Sequence, residues 1–149
     1  MNSEEKASLY FESGFNCAQS VFTAIAENHG LDPGTARKIA SGFGGGIARL
    51  QKTCGAVTGG VMAIGYLKGH EQANETEKKD ETYQLIRKFV DGFTEKHKTI
   101  ECADLLGFDM NTEEGKARIK ELQLTEKVCH RCVKDAIRLV EDLLPEERA

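Results

Sequence analysis

Long apolar runs are missing from this 149-residue sequence. The longest stretch without a charged residue, Thr53 to Leu67, falls short of the roughly 20 apolar residues a membrane-spanning helix needs, so no membrane insertion is expected. A basic excess is missing too. The 20 Lys and Arg are outnumbered by 24 Asp and Glu, giving a net charge of -4, and no stretch gathers a basic face, so nucleic acid is not an expected partner. The five cysteines are an odd number and far too sparse for a disulfide-stapled secreted domain. The acidic start, MNSEEKASLYFE, lacks the basic segment and apolar run of a signal peptide, and the expected compartment is the reducing cytoplasm. No segment alternates as a strand does, no repeat or low-complexity linker interrupts the chain, and neither a Ser/His/Asp arrangement nor HExxH occurs.

What is present suits one globular domain, 1–149, with a single core. Apolar residues make up 40% and charged residues 30%, too apolar for disorder. Helical periodicity recurs along the chain. Asn16 and Gln19 form a capping arrangement ahead of Cys17, Val21, Ala24 and Ile25, which share one face of a helix ending near Gly30. Thr53 to Leu67 reads as a buried helix whose Gly55, Gly59 and Ala63 recur every four residues, leaving one side open to a neighbouring helix. From Thr76 to about Lys98 an apolar stripe of Thr82, Ile86, Phe89, Val90 and Phe93 marks a long amphipathic helix. A last helix from Thr125 to Leu144 places Cys129, Cys132, Ala136 and Val140 together before Pro145. Shorter helices are expected over Glu4–Ser13, over Pro33–Ser41 behind the cap Asp32, and over Glu101–Leu106 before Gly107. The fold expected is an all-α single-domain bundle of about six or seven helices.

Three cysteines stand where helices begin. Cys17 follows the cap Asn16, Cys54 follows Thr53, read here as a cap, and Cys102 lies in a first turn that Thr99 is placed to cap. Free amide groups and the helix dipole favour negative charge there, so these thiols are expected to ionise below the free value of ~8.5, suiting nucleophiles or metal ligands. Inert core packing is the competing role for any one of them. Cys129 and Cys132 form a CxxC, Cys-His-Arg-Cys, on one helix face. A rise of ~1.5 Å per residue sets their backbones ~5 Å apart, within reach of a disulfide or a shared metal. His130 and Arg131 are expected to favour thiolate there. The βαβ context of thioredoxin, the second CxxC of a zinc ribbon and the cysteine runs of ferredoxins are all lacking, so any metal needs ligands from separate helices.

The run Gly42-Phe43-Gly44-Gly45-Gly46 has no following Gly-Lys-Ser/Thr and no preceding strand, which argues against a phosphate loop. A tight turn is the simpler use of these glycines. The amides of Gly44, Gly45 and Gly46 beside Arg49 remain a candidate cofactor site for a small anion near Cys54. His29, His70 and His97, near helix ends or in loops, are read as surface residues.

Taken in order, NCAQSV at Asn16 to Val21, SGFGGG at Ser41 to Gly46, CGAVTGG at Cys54 to Gly60, ECADLLGFD at Glu101 to Asp109 and the C-terminal cysteine helix resemble one family. It is the redox-active protein family named for its cysteine pattern, C_GCAxxG_C_C, and the resemblance spans about Phe15 to Leu144. The resemblance implies a small bacterial or archaeal helical protein whose cysteines transfer electrons or bind a metal or iron-sulfur group. By position the family cysteines match Cys17, Cys54, Cys102 and Cys129, with Gly55, Ala56 and Gly59 completing CGAxxG, and Cys132 is an addition. It further implies that the four thiols converge, as metal ligands for an iron-sulfur centre or zinc, or as a thiol-disulfide couple.

Two other functions compete with that redox cluster. In a thiol-disulfide oxidoreductase, Cys54 or the pair Cys129 and Cys132 would be catalytic, with one thiol resolving the mixed species. In a structural or interaction protein the cysteines would only pack or hold zinc. The expected partner is a redox protein or a small thiol or disulfide substrate, and the glycine-rich helical surface suits a homodimer as well as packing within the monomer.

Overall fold

The computed structural model describes residues 1–148, and capping chemistry sets where most of its helices begin. Helix α1 (Ser3–Glu12) starts at Asn2, whose side chain accepts from the Glu5 amide at 2.8 Å. Helix α2 (Cys17–Ala26) carries the capping box in full: Asn16 Oδ1 accepts from the Gln19 amide at 2.8 Å and Gln19 Oε1 from the Asn16 amide at 3.0 Å. It runs into a 3₁₀ turn, Glu27–His29, closed by Gly30 at φ +93°. Asp32 caps α3 (Pro33–Ala40), with Pro33 in the first turn as expected. Then follow α4 (Gly55–Lys68), the long α5 (Thr76–His97), α6 (Cys102–Leu106), α7 (Glu113–Glu121) and α8 (His130–Leu143).

The protein is all-α, and among the described residues the one strand-like feature is an isolated antiparallel bridge between Thr53 and Glu101. Among the described residues there are eight α-helices, one more than the upper end of the expected six or seven. The additional one, α7, is capped by Thr112 and buries only Gly115, so it carries no apolar stripe by which periodicity would reveal it. Two other expectations need correction. Thr53 does not cap α4: it joins the bridge to Glu101, and Cys54 itself is the N-cap residue. The segment from Thr125 is not one continuous α-helix, because Thr125–Cys129 winds as a π turn before α8. Such turns add a residue to the helical register and frequently sit at functional sites.

Packing follows from the small residues of α4. A Cβ on Gly59 would stand 2.9 Å from the Ala18 carbonyl oxygen and 3.0 Å from Val21 Cβ, and one on Gly55 would stand 3.0 Å from the Ala18 nitrogen. Bare backbone lets α2 and α4 lie side by side with their N-termini at the same end. On the other side of α4, Gly60 seats the Phe89 ring of α5, and Gly92 of α5 accepts Leu139 of α8, whose Cδ2 would be 2.8 Å from a Cβ there. Phe89, Phe93, Ile64, Ile137 and Val21 are fully buried between these helices, at about 1.5–3 kcal/mol of hydrophobic stabilisation for each large side chain. None of the helices is long and apolar enough to cross a membrane.

The glycines of α4 are therefore not equivalent. Gly65, with nothing within 4 Å of a Cβ, is expected to gain ~1 kcal/mol on Gly65→Ala through helix propensity, raising Tm by about 2–4 °C. Gly59→Val must push α2 away and is expected to lower Tm, with overpacking of ~1–3 kcal/mol. Thermal unfolding followed by circular dichroism of the two variants checks both signs.

Candidate functional site

Parallel placement of α2 and α4 sets the first two thiols together. Cys17 opens α2, Cys54 caps α4, and a Cβ on Gly55 would lie 3.2 Å from Cys17 Cβ. The third comes by backbone pairing. The Cys54 amide donates to the Ile100 carbonyl and the Cys102 amide to the Lys52 carbonyl, both at 2.7 Å, which sets Cys102 beside Cys54. The π turn and α8 bring Cys129 and Cys132 from the opposite side. All five line one cavity of about 180 Å³, otherwise walled largely by Phe11, Leu105, Leu106, Met110 and Val128.

All five thiols are free, and their exposure differs in a way that matters chemically. Cys54, Cys102 and Cys132 are buried, at 6%, 8% and 1% exposure, whereas Cys17 and Cys129 are partly exposed. The thiols interact across helices rather than within the CxxC. Cys17 donates toward Cys129, which raises the Cys17 pKa well above the ordinary thiol value, burial adding to it, and lowers that of Cys129. Cys132 donates toward Cys54 in the same way. Cys54 is lowered by this donation and by the amides of Ala56 and Val57, while Cys132 is raised by it and by burial. Cys102 is pushed up to about 12, first by burial and then by the charges of Cys54 and Cys129, against a hydrogen bond from Gln51.

Helix position alone thus misjudges two of three thiols. Cys54 behaves as a helix N-terminus implies, because amides of a 14-residue helix face its sulfur. Cys17 is a donor to Cys129, and the five-residue α6 leaves burial in control of Cys102. Thr99 does not cap Cys102 directly; its hydroxyl accepts from the Glu101 amide at 3.0 Å. Nor do the neighbours His130 and Arg131 supply the charge expected at the CxxC. Arg131 is exposed to solvent, and His130 lies against the Phe11 ring, centroids 5.3 Å apart.

The glycine run forms a left-handed segment: Gly45, Gly46, Ile47, Ala48 and Arg49 have φ of +64°, +68°, +67°, +47° and +64°. Gly45 and Gly46 line the cavity, and a Cβ on Gly46 would be 2.8 Å from Cys102 Cβ. Gly44 and Arg49 are not in the lining; Gly44 packs on Asn16, and the Arg49 side chain is exposed. The amides of Ala48, Arg49, Gln51 and Lys52 donate to the carbonyls of Gly42, Gly44, Gly45 and Gly46, which closes the loop on itself.

His97 is the clearest correction. It is not a surface residue: its side chain is 11% exposed, lies 4.5 Å from the Phe93 ring, and bridges Asp135 (Nε2 to Oδ2, 2.8 Å) and Cys132 (Nδ1 to Sγ, 3.9 Å). The signal was in the sequence, since His97 continues the buried row Phe89, Phe93 by one more helical turn and Asp135 follows Cys132 by three residues. Gln51 also escaped sequence reasoning. Its buried amide donates to the Phe108 carbonyl at 2.9 Å and accepts from the Met110 amide at 3.0 Å, fixing the chain that carries Leu105, Leu106 and Met110 to the cavity.

The model of the family described as "Putative redox-active protein (C_GCAxxG_C_C)" matches residues 15–143. The chain belongs to this family. No curated protein and no solved structure matches it. In this C_GCAxxG_C_C protein the five thiols form a soft, apolar-walled donor set, in keeping with the redox activity the family description names. Among the described residues, no three His, Cys, Asp or Glu side chains gather as a single metal ion would need.

Thiol reactivity is therefore expected to be ordered. At about pH 7.5 an ordinary thiol is roughly one-tenth ionised, so the partly exposed Cys129, whose pKa is lowered, should be alkylated by iodoacetamide first and the buried, raised Cys102 and Cys132 last. Cys17→Ala removes the donor that lowers Cys129 and is expected to shift its reactivity profile to higher pH. Peptide mass spectrometry over a pH series reads both.

Proposed function

We propose that the chain is a dithiol-disulfide redox module in which Cys129 is the attacking thiolate and Cys17 its resolving partner. The observation that carries this reading is the partly exposed Cys17/Cys129 pair, one sulfur lowered and one raised, on the wall of a cavity shared with a second such pair. One sulfur in each pair is ready to attack and the other keeps its proton until it is needed.

The chemistry balances with a disulfide as oxidant. The Cys129 thiolate attacks one sulfur of a small or protein-borne disulfide, forming a mixed disulfide and releasing the other half as a thiolate that takes a proton. Cys17 then loses its proton and attacks Cys129 Sγ, expelling the second half. Two electrons pass to the substrate, and the chain is left with a Cys17–Cys129 disulfide. Cys54 and Cys132 form the inner pair behind it, and Cys102, held protonated, flanks both.

Mixing reduced protein with oxidised glutathione tests the reading. The expected product is a Cys17–Cys129 disulfide, forming faster as pH rises through the lowered Cys129 value. Cys17→Ser is expected to stop at a glutathione adduct on Cys129. Protein purified without oxygen that carries iron and sulfide, or zinc, on Cys17, Cys54, Cys102 and Cys129 would replace this reading with a metal centre. Equal, slow reaction of all five thiols would overturn it.

A further inference from the structure

Cys132, 1% exposed, must lose its proton away from solvent when it is oxidised. Three side chains bear on this. His97, the last residue of α5, stands with Nε2 2.8 Å from Asp135 Oδ2 and Nδ1 3.9 Å from Cys132 Sγ. Both His97 and Asp135 are largely enclosed, with side chains 11% and 15% exposed. A carboxylate only accepts, so the Asp135 contact requires a proton on Nε2, and in the neutral ring that tautomer turns the Nδ1 lone pair toward the thiol. Phe93 packs against the imidazole and limits its tilt. Asp135 in turn borders the outer groove lined by Glu126, Lys127, Arg131 and Lys134, which gives the relay a route to water.

We infer that His97 is the proton acceptor for Cys132 when the inner Cys54/Cys132 pair is oxidised, with Asp135 as its positioning residue. The inference rests on the dithiol reading and adds a second, inner reaction to it. The Cys54 thiolate attacks the Cys17–Cys129 disulfide, one outer sulfur leaves as a thiolate, and Cys54 becomes a mixed disulfide. At that moment Cys54 no longer accepts the Cys132 proton. The proton passes to His97 Nδ1, the new Cys132 thiolate attacks Cys54 Sγ, and the second outer sulfur leaves. The inner pair ends as a disulfide, the outer pair is reduced again, and the imidazolium sits on Asp135. Two electrons have moved outward, and one proton has moved from Cys132 to His97. Charge is conserved, since the one starting thiolate becomes two outer thiolates and one imidazolium.

The geometry also explains why this ring, rather than another base, takes the proton. The titratable groups hydrogen-bonded to the His97 ring are Cys132 and Asp135, both on α8. General-base assistance of this kind is typically worth ~10²–10⁴-fold in rate.

Rapid-quench mass spectrometry separates the steps by counting Cys17–Cys129 and Cys54–Cys132 disulfides over time after mixing with oxidised glutathione. His97→Asn is expected to slow the inner disulfide about 100-fold while the outer one forms within about 2-fold of the unaltered rate. It should also remove a titration from the pH profile of the inner step, where loss of packing alone would lower the rate equally at every pH. Asp135→Asn should slow the inner step by about 10-fold. In a Cys17→Ser/Cys129→Ser variant, diamide oxidises the inner pair directly, so the His97 effect is read even if the outer pair proves inert. An inner step unchanged in rate and pH profile by His97→Asn and Asp135→Asn, in either background, overturns the inference. Absence of the outer disulfide with a retained His97 effect overturns only the outer-pair reading.

Discussion

The close approach of α2 and α4 is the contact on which the site depends. Gly55 and Gly59 present bare backbone to Ala18 and Val21, and any side chain at either glycine would have to displace the facing helix. Because the two helices run in the same direction, the contact sets both N-termini, and with them Cys17 and Cys54, at one end of the bundle. The remaining cysteines arrive on structures that presuppose this pair: the Lys52–Cys102 backbone bond requires the loop before α4 to be in place, and α8 packs against both helices. The CGAxxG motif is thus a packing device that carries a thiol.

Around that end the chain adopts conformations it would avoid elsewhere. Ile47, Ala48 and Arg49 are held left-handed, at roughly 1–2 kcal/mol each for a residue with a Cβ. Loop amides closing on Gly42, Gly45 and Gly46 offset part of that cost. What is gained is reach, since the segment lays Gly46 against Cys102 and closes a wall of the cavity with backbone. The π turn at Thr125–Cys129 has a comparable effect on the opposite wall, ending on Cys129 as α8 begins. Irregular backbone is concentrated where sulfur is concentrated.

Electrostatics then divide five like residues into different roles. Ionising one thiol raises the cost of ionising every other around the cavity, so burial and donation decide which sulfurs carry charge. Cys54 and Cys129 are favoured because each receives a thiol proton donor, and Cys102, with burial and two neighbouring charges against it, stays protonated. The residues that complete the inner end, His97 and Asp135, come from α5 and α8, which the seating of Leu139 on Gly92 brings together.

Much of the fold was legible in the sequence because it depends on local chemistry. The capping box at Asn16 and Gln19, Asp32 before Pro33, Gly30 and Gly107 at helix ends, and the spacing of Gly55, Gly59 and Ala63 are all statements about residues within one or two turns of each other. The small α7 escaped because it buries almost nothing, and the π turn because its residues keep the same apolar spacing as an α-helix. The sequence alone determined an all-α chain with thiols at helix starts, and its ordered motifs marked the family. Only the tertiary structure decided which thiols face which, that His97 is inside, and that Cys132 meets Cys54 rather than Cys129. Those pairings join residues up to 112 positions apart, as Cys17 and Cys129 are (129 minus 17), and they are fixed by helix packing that no local pattern encodes.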